Sequence, residues 1–398
     1  MYRLYVGIDV SKDSFSVAGL DSKGNTLFED SYSMDAKGFG LFLKIVLQHC
    51  KDLSQILAAM ESTGCYHLNL FSYLNGQGIE AVVINPLLIS NFAKLSLRKT
   101  KTDKKAAKTI AQFILQNQEA VSQLAVSQSL QDLRDLSRER ESLCHLISAT
   151  KSEIKRVLRT TFPELESICD ISTKVMLQFL TQYPSARMVT LAKPKDVIRA
   201  LGRKGAGTRL TFSAQDIIRA AQNSVGVVSP AKEVILQGKV STLMHLQERV
   251  QQMTKLMTEL CKASMLQDLE IVTSIKGIKT KTAVPFLAEV GDIKNYSCYK
   301  KLIAFAGLDP SVRQSGKFVG QSKISKRGNR HLRRVLYLMA SSVVKNNSFF
   351  RHYFIRKKKK GMSPQKALFT VSHKLIRIIF AMMTHKTYFN LKEASVNS

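Results

Sequence analysis

The hydrophobic period of the first 117 residues changes from two to a mixture of two and 3.6, and this restricts the fold more than any other feature. Alternating runs at Tyr2–Val10, Ser14–Leu20 and Thr26–Tyr32 predict three strands, with Asp21–Asn25 as a turn. A helix is predicted over 36–50, a buried strand over Gln55–Met60 and a helix over Cys65–Gln77. A strand follows at Ile79–Asn85, stopped by Pro86, and a helix covers about 103–117. Three consecutive strands followed by strand–helix alternation predict an α/β domain, a mixed sheet with helices on its faces.

The middle of the chain has a different pattern. Leu136, Leu143 and Val157 share one heptad register, with Leu133, Ile147 and Ile154 in the register beside it, and Arg140 and Thr150 interrupt the pattern. Leu236, Leu243, Val250 and Met257, interleaved with Leu246, Met253 and Leu260, form a cleaner run. Two long helices are expected, antiparallel within a chain or coiled between chains. Residues 163–230 read as loop-rich with short helices, and Gly202–Gly207 as a basic turn. No GKS or GKT follows those glycines, so they do not form a phosphate loop.

Charge narrows the partner. Sixty Lys and Arg against thirty Asp and Glu give a formal charge of +30, a balance that calls for a polyanion. Between Ser311 and Lys392 there are twenty Lys or Arg and no Asp or Glu. A solvated face mixes both signs, so this segment is expected to lie along phosphates. The six cysteines form no CxxC pair, which disfavours a zinc site or a disulfide framework. No secretory leader and no uninterrupted apolar run of about 18 residues stands out, so no membrane partner is expected.

Three constellations carry candidate chemistry. Asp9 ends an apolar strand in Gly7–Ser11, Glu61 follows another in Ala58–Gly64, and Asp103 opens a helix after Lys99–Thr102. A carboxylate in such a place is costly unless paired or metal-bound, and three of them can converge on Mg²⁺. In this order they resemble an RNase H-like nuclease site, although a strand-end Asp taken alone reads as a turn residue. Ser274–Ala283 partly resembles a helix-hairpin-helix, with Lys279 where the second glycine stands; an ordinary helical hairpin fits as well. Gln314-Ser315-Gly316 lies in a basic segment with Lys317, Lys323, Lys326, Arg327, Arg330, Arg333 and Arg334. A serine there can approach a phosphate, with cations to stabilise the transition state, but spacing alone leaves a turn serine in place.

Taken together, GIDVSK, MESTG, KTD with AKTIA, LAEVGDI, FAGLDP, QSG and KISKRGNRHLRR resemble the DEDD insertion-sequence transposases, bridge-RNA-guided serine recombinases, across nearly the whole chain. The resemblance implies a RuvC-like, RNase H-like N-terminal domain (1–125), a helical coiled-coil oligomerisation region (126–265) and a mostly α C-terminal transposase domain (266–398). It assigns Asp9, Glu61 and Asp103 to Mg²⁺, with Mn²⁺ as a substitute, and makes Ser315 the nucleophile. It further implies nucleic-acid contacts by Lys101 and the C-terminal cations, and a structured guide RNA that pairs with donor and target DNA. A homo-oligomer of two to four chains and a bacterial cytoplasmic, nucleoid-associated setting complete the expectation. The pattern places a fourth acid three residues after Asp103, where this chain has Ala106; the departure reads as an inactivating substitution or as a three-acid branch. Other readings are a DNA invertase of the same family, a Holliday-junction-type nuclease using the acids alone, and a non-catalytic nucleic-acid binder.

Overall fold

The computed structural model describes residues 2–61, 66–84, 89–90, 92, 103–118, 128–201, 212–311, 314–315, 318–319 and 323–390; for Asp103 and Ser315 it gives the backbone alone. The chain divides into two compact units, Met1–Gln128 and Ser129–Ser398.

In the first unit, β1 (Leu4–Val10), β2 (Ser14–Asp21) and β3 (Thr26–Ser33) form an antiparallel meander. After α1 (Ala36–His49), β4 (Ile56–Glu61) adds parallel to β1; after α2 (His67–Gly76), β5 (Glu80–Ile84) adds parallel to β4. The strand order is therefore β3-β2-β1-β4-β5, the mixed sheet that the alternating pattern predicts. Alternation along β1 sends Leu4, Val6, Ile8 and Val10 to one face, where Phe39, Phe42 and Val46 of α1 and Leu70 and Leu74 of α2 cover them. Tyr5 faces the other way with Leu57, Ala59 and Val82, under Ile110, Ala111 and Ile114 of α3 (Asp103–Gln116).

The contact of α3 with β1 is unusually close. A Cβ on Gly7 would lie 2.0 Å from the Ala107 carbonyl oxygen and 2.3 Å from the Ala111 nitrogen. Glycine on the strand and alanines four apart on the helix let the two backbones touch.

The second unit holds two hydrophobic cores spanned by two long helices, α4 (Gln128–Thr161) and α10 (Pro230–Thr273). Between them lie five short helices: α5 (Leu165–Ile168), α6 (Lys174–Gln182), α7 (Ala186–Leu191), α8 (Pro194–Ala200) and α9 (Ala214–Gln222). The long helices run antiparallel within the chain. Arg140 donates to Thr254 Oγ1 at 2.9 Å, Lys239 meets Glu153 at 3.2 Å, and the Val227 N–H donates to the Thr160 carbonyl at 2.7 Å. Heptad residues Leu236 and Leu243 are buried against Ile154, Val157 and Leu158, so this part of the repeat packs inside one chain. Of the two residues that interrupt the heptads, Arg140 links the helices and Thr150 bonds back to the Leu146 carbonyl. The Gly202–Gly207 turn lies outside the described residues.

The other core gathers the end of α10, α11 (Thr280–Val290), α12 (Tyr299–Phe305), α13 (Arg330–Asn346), α14 (Ser348–Lys359) and α15 (Pro364–His385). Helix α15 is long and apolar enough to cross a membrane, yet Val371, Leu375, Ile376, Ile379 and Met383 are buried in this core. The helix-hairpin-helix candidate is the α10–α11 turn. Gly277 adopts φ +106° there and its carbonyl accepts a 2.6 Å bond from Ser342 of α13, whereas Lys279 is extended and needs no glycine.

A buried ionic network joins α4, α11 and α13. Glu289, 1% exposed, receives two bonds from Arg138, at 2.9 and 3.0 Å, and one from Asn329 Nδ2 at 2.6 Å. Asn329 caps α13 through its Oδ1, which accepts from the His331 and Leu332 N–H groups. Beside it, Glu141 binds His331 at 2.8 Å and Arg334 at 2.7 Å. Burial raises the Glu289 pKa, but the bond and charge of Arg138 and the Asn329 amide outweigh it, and the carboxyl stays below its ordinary range.

Two outcomes are expected. Gly7→Ala forces backbone atoms apart and lowers stability by about 2 kcal/mol, whereas Gly40→Ala, with nothing within 4 Å, leaves stability equal or raises it by up to about 1 kcal/mol. Urea denaturation of the two variants checks the opposite signs. Glu289→Gln destabilises at neutral pH by about 2 kcal/mol, less than the ~3–5 of a fully buried pair because the Arg138 side chain is 41% exposed. A depressed folded pKa stabilises above the unfolded value near 4.3 and loses that contribution as pH falls through the folded one. The gap between wild type and variant therefore narrows below about pH 4, which denaturation across pH measures.

Candidate active-site and nucleic-acid-binding residues

The sheet brings two predicted acids together. Ile8 of β1 lies opposite Met60 of β4, so Asp9 and Glu61 stand one step further along neighbouring parallel strands, on the Gly7 and Ala59 face. Adjacent strands run about 4.8 Å apart, which places the two carboxylates side by side at the strand ends. Across the sheet, Asp9 pairs with Ser16 of β2.

The third acid is located by its backbone. With Ala107 over Gly7, the first residue of α3 lies one turn back, about 6 Å along the helix axis. The two strand residues from Gly7 to Asp9 span nearly the same distance, about 6.6 Å. Tyr5, two residues before Gly7, bonds Gln118 just past the end of α3, so the helix runs antiparallel to β1 and the backbone of its first residue, Asp103, lies toward the Asp9 and Glu61 strand ends. Half-buried Ala106 sits three residues on and shares that helix face. Among the described residues no group of three metal-ligating side chains is assembled. The donor set, hard carboxylate oxygens at adjoining strand ends, has the chemistry to hold a small divalent cation.

Ser315 lies in the second unit, on a short β-ribbon. Pro310–Ser311 (β6) pairs antiparallel with Lys323–Ile324 (β9), and inside them Gln314–Ser315 (β7) pairs with Phe318–Val319 (β8). Ser315 lies opposite Phe318 and is the last residue of β7. Lys101 and Lys317 lie outside the described residues, and Lys323 is described by its backbone in β9.

The loop after the ribbon is tightly held. Ser325 Oγ donates to Asp309 at 2.5 Å, the Lys326 N–H donates to the Gly307 carbonyl at 3.0 Å, and the Asn329 N–H donates to the Phe305 carbonyl at 2.7 Å. Lys326 takes a left-handed φ of 53°, a strained conformation costing about 1 kcal/mol that the surrounding bonds sustain. Gly328 has φ +131°, and a Cβ there would sit 2.4 Å from the Phe305 carbonyl oxygen. Lys326, Arg327 and Arg330 are exposed on this fixed frame. Arg333 and Arg334 have protein partners instead: Arg333 donates to the Ala306 carbonyl at 3.0 Å and Arg334 pairs with Glu141.

Pattern reading overlooked the Glu289, Arg138 and Asn329 network, which fixes the start of α13 and hence the basic loop before it. The available signal was an acid in the apolar run Ala283–Val290, where an unpaired charge is untenable.

Comparison with known proteins places the chain among mobile-element proteins. Residues 6–163 match a family model described as a transposase, of the IS110 DEDD type, and residues 269–354 match the transposase family IS116/IS110/IS902. The IS116 insertion-element protein of Streptomyces clavuligerus is 23% identical over 97% of this chain and 96% of its own length. The pilin gene-inverting protein of Moraxella bovis is 22% identical over 98% of each chain. The transposase for insertion sequence element IS1111A of Coxiella burnetii is 24% identical over 96% of this chain and 90% of its own. A DEDD transposase domain implies an RNase H-like fold, and the mixed sheet with its flanking helices has that character. The two models span more than half of the 398 residues, and the chain belongs to the IS110/IS116 transposase family, enzymes that recombine DNA.

Proposed function

We propose that this transposase cuts and rejoins DNA through Ser315, with metal-binding carboxylates in its N-terminal unit and sequence choice supplied by a guide RNA. The observation that carries the reading is the level placement of Asp9 and Glu61 on adjacent strand ends, facing the start of α3. A bound Mg²⁺ or Mn²⁺ would polarise the phosphodiester and offset its developing charge.

Ser315 Oγ bonds to phosphorus as the bond to the 3′ oxygen breaks, and the serine proton ends on that oxygen. DNA is then joined to the protein by a phosphoserine ester beside a free 3′-hydroxyl. Attack by a 3′-hydroxyl on this ester reverses the step and returns the proton to serine, so joining needs no ATP. Lys326, Arg327 and Arg330, exposed and fixed near the ribbon, neutralise phosphate charge. Base pairing between guide RNA and the donor and target DNA supplies specificity, leaving backbone contacts to the protein. The two chemical groups lie in separate units, and the proposal includes a homo-oligomer in which one chain's carboxylates serve another chain's serine.

Inversion of a fixed DNA segment is a second reading, favoured by the full-length similarity to pilin gene-inverting proteins. Both readings use the same strand chemistry. A nuclease that used the acids alone would leave no protein–DNA ester.

Ala106 bears on activity. A carboxylate at that place on α3 would add an oxygen donor beside the Asp103 position. Ala106→Asp is expected to raise Mg²⁺-dependent strand exchange at least tenfold over the unchanged chain, and Ser315→Ala in that background is expected to abolish it while DNA binding persists. Recombination between plasmid-borne donor and target sites reads the first effect, and a gel-shift assay reads the second. Exchange that survives Ser315→Ala would move the nucleophile elsewhere, and equal activity with and without Ala106→Asp would mean that three acids suffice.

A further inference from the structure

The C-terminal core carries a cleft that the strand chemistry does not use. It occupies about 460 Å³ beside α15 and is lined by Tyr299, Lys374, Arg377, Phe380, Tyr388 and Phe389 among others. Among the described residues no carboxylate lines it. The acids Asp268 and Glu270 are already engaged, by Lys386 at 2.6 Å and by the Tyr388 hydroxyl at 3.3 Å.

Aromatic rings hold the two lining cations Lys374 and Arg377, and further cations gather behind Lys374 on α14. The Lys374 ammonium lies 4.3 Å from the centre of the Phe349 ring and 4.6 Å from that of Tyr353. Arg356 and Lys357 approach Tyr353 at 5.4 and 5.3 Å, and Arg377 lies 5.7 Å over Tyr299. Among the described residues, none of these four cations forms a salt bridge. Burial first, and then repulsion from Arg356, Arg377 and Lys357, lowers the Lys374 pKa. Cation–π attraction, about 0.5–2 kcal/mol per pair, offsets part of that repulsion and keeps the ammonium at the rim. Among the described residues no anion balances this cluster.

We propose that this cleft takes one unpaired nucleotide of the nucleic-acid partner, with its base against Tyr299 and its phosphate on Lys374 and Arg377. Ring and cation occur together there, which matches the two halves of a nucleotide. The size lies in the range of small-ligand pockets, about 300–1,000 Å³. A free inorganic anion would leave the aromatic wall unused, and a duplex keeps its bases stacked away from it. The inference rests on the proposed action on nucleic acid and adds a single-strand contact to it.

The test is binding of the full chain to a fluorescein-labelled single strand of about 15 nucleotides and to the matching duplex, followed by anisotropy over a salt series. Tyr299→Leu is expected to weaken single-strand binding about tenfold and leave duplex binding unchanged, because stacking is lost. Tyr299→Phe should match wild type. Lys374→Gln should weaken single-strand binding and lower the salt slope by about 0.7, one phosphate contact. This second variant decides the matter if Tyr299→Leu lowers the melting temperature. Wild-type single-strand affinity in both Tyr299→Leu and Lys374→Gln, or equal losses for strand and duplex, would overturn the cleft and leave the proposed function standing. A wild-type chain that binds neither strand nor duplex would overturn both.

Discussion

The backbone contact between α3 and β1 at Gly7 is the constraint on which the N-terminal unit turns. A side chain at Gly7 would collide with the Ala107 and Ala111 backbone and push the helix off the strand, and the helix carries Asp103. The main chain sets where these carboxylates stand. The parallel register of β1 and β4 sets Asp9 level with Glu61, and the seat of Ala107 over Gly7 sets the start of α3. Acids gathered at strand ends repel one another in the absence of a cation, so stability must come from elsewhere. It comes from the two apolar faces of the sheet, where buried side chains such as Phe15, Phe42 and Ile8 each contribute about 1.5–3 kcal/mol.

The second unit solves a related problem with charge. The basic loop before α13 must hold Lys326, Arg327 and Arg330 at the surface with no acid beside them in sequence. Its stability is borrowed from α4 and α11: buried Glu289 bonds both Arg138 and the capping Asn329, while Glu141 bonds His331 and Arg334. These acids lie outside the acid-free segment, and none of them pairs with Lys326, Arg327 or Arg330. Arg333 and Arg334 show the division within a single run of basic residues, since adjoining helix positions turn inward to the Ala306 carbonyl and to Glu141.

The secondary structure of the first 117 residues was legible because strand alternation and helical period are local signals. Strands predicted at Ser14–Leu20 and Thr26–Tyr32 occur at Ser14–Asp21 and Thr26–Ser33. The level placement of Asp9 and Glu61 was only implicit, because register depends on pairing partners 52 residues apart. The heptads announced two long helices but left open whether their partner lay within or between chains; the contacts of Arg140, Glu153 and Thr160 place an antiparallel partner within the chain. Glu289 went unassigned because Arg138 lies 151 residues away, and no local pattern reports such a pair. Ser315 is proposed as nucleophile through family resemblance alone; nothing in its immediate sequence separates a nucleophile from a turn serine.

The central claim is a covalent one, that DNA is carried on Ser315 during exchange. The most direct measurement is mass spectrometry of the protein after reaction with donor DNA and Mg²⁺ in the Ala106→Asp background, followed by nuclease and trypsin digestion. The account predicts a nucleotide joined through phosphate to the peptide that contains Ser315, and no such adduct when Mg²⁺ is withheld. DNA cleavage with every peptide unmodified, or an adduct on a different residue, would contradict it.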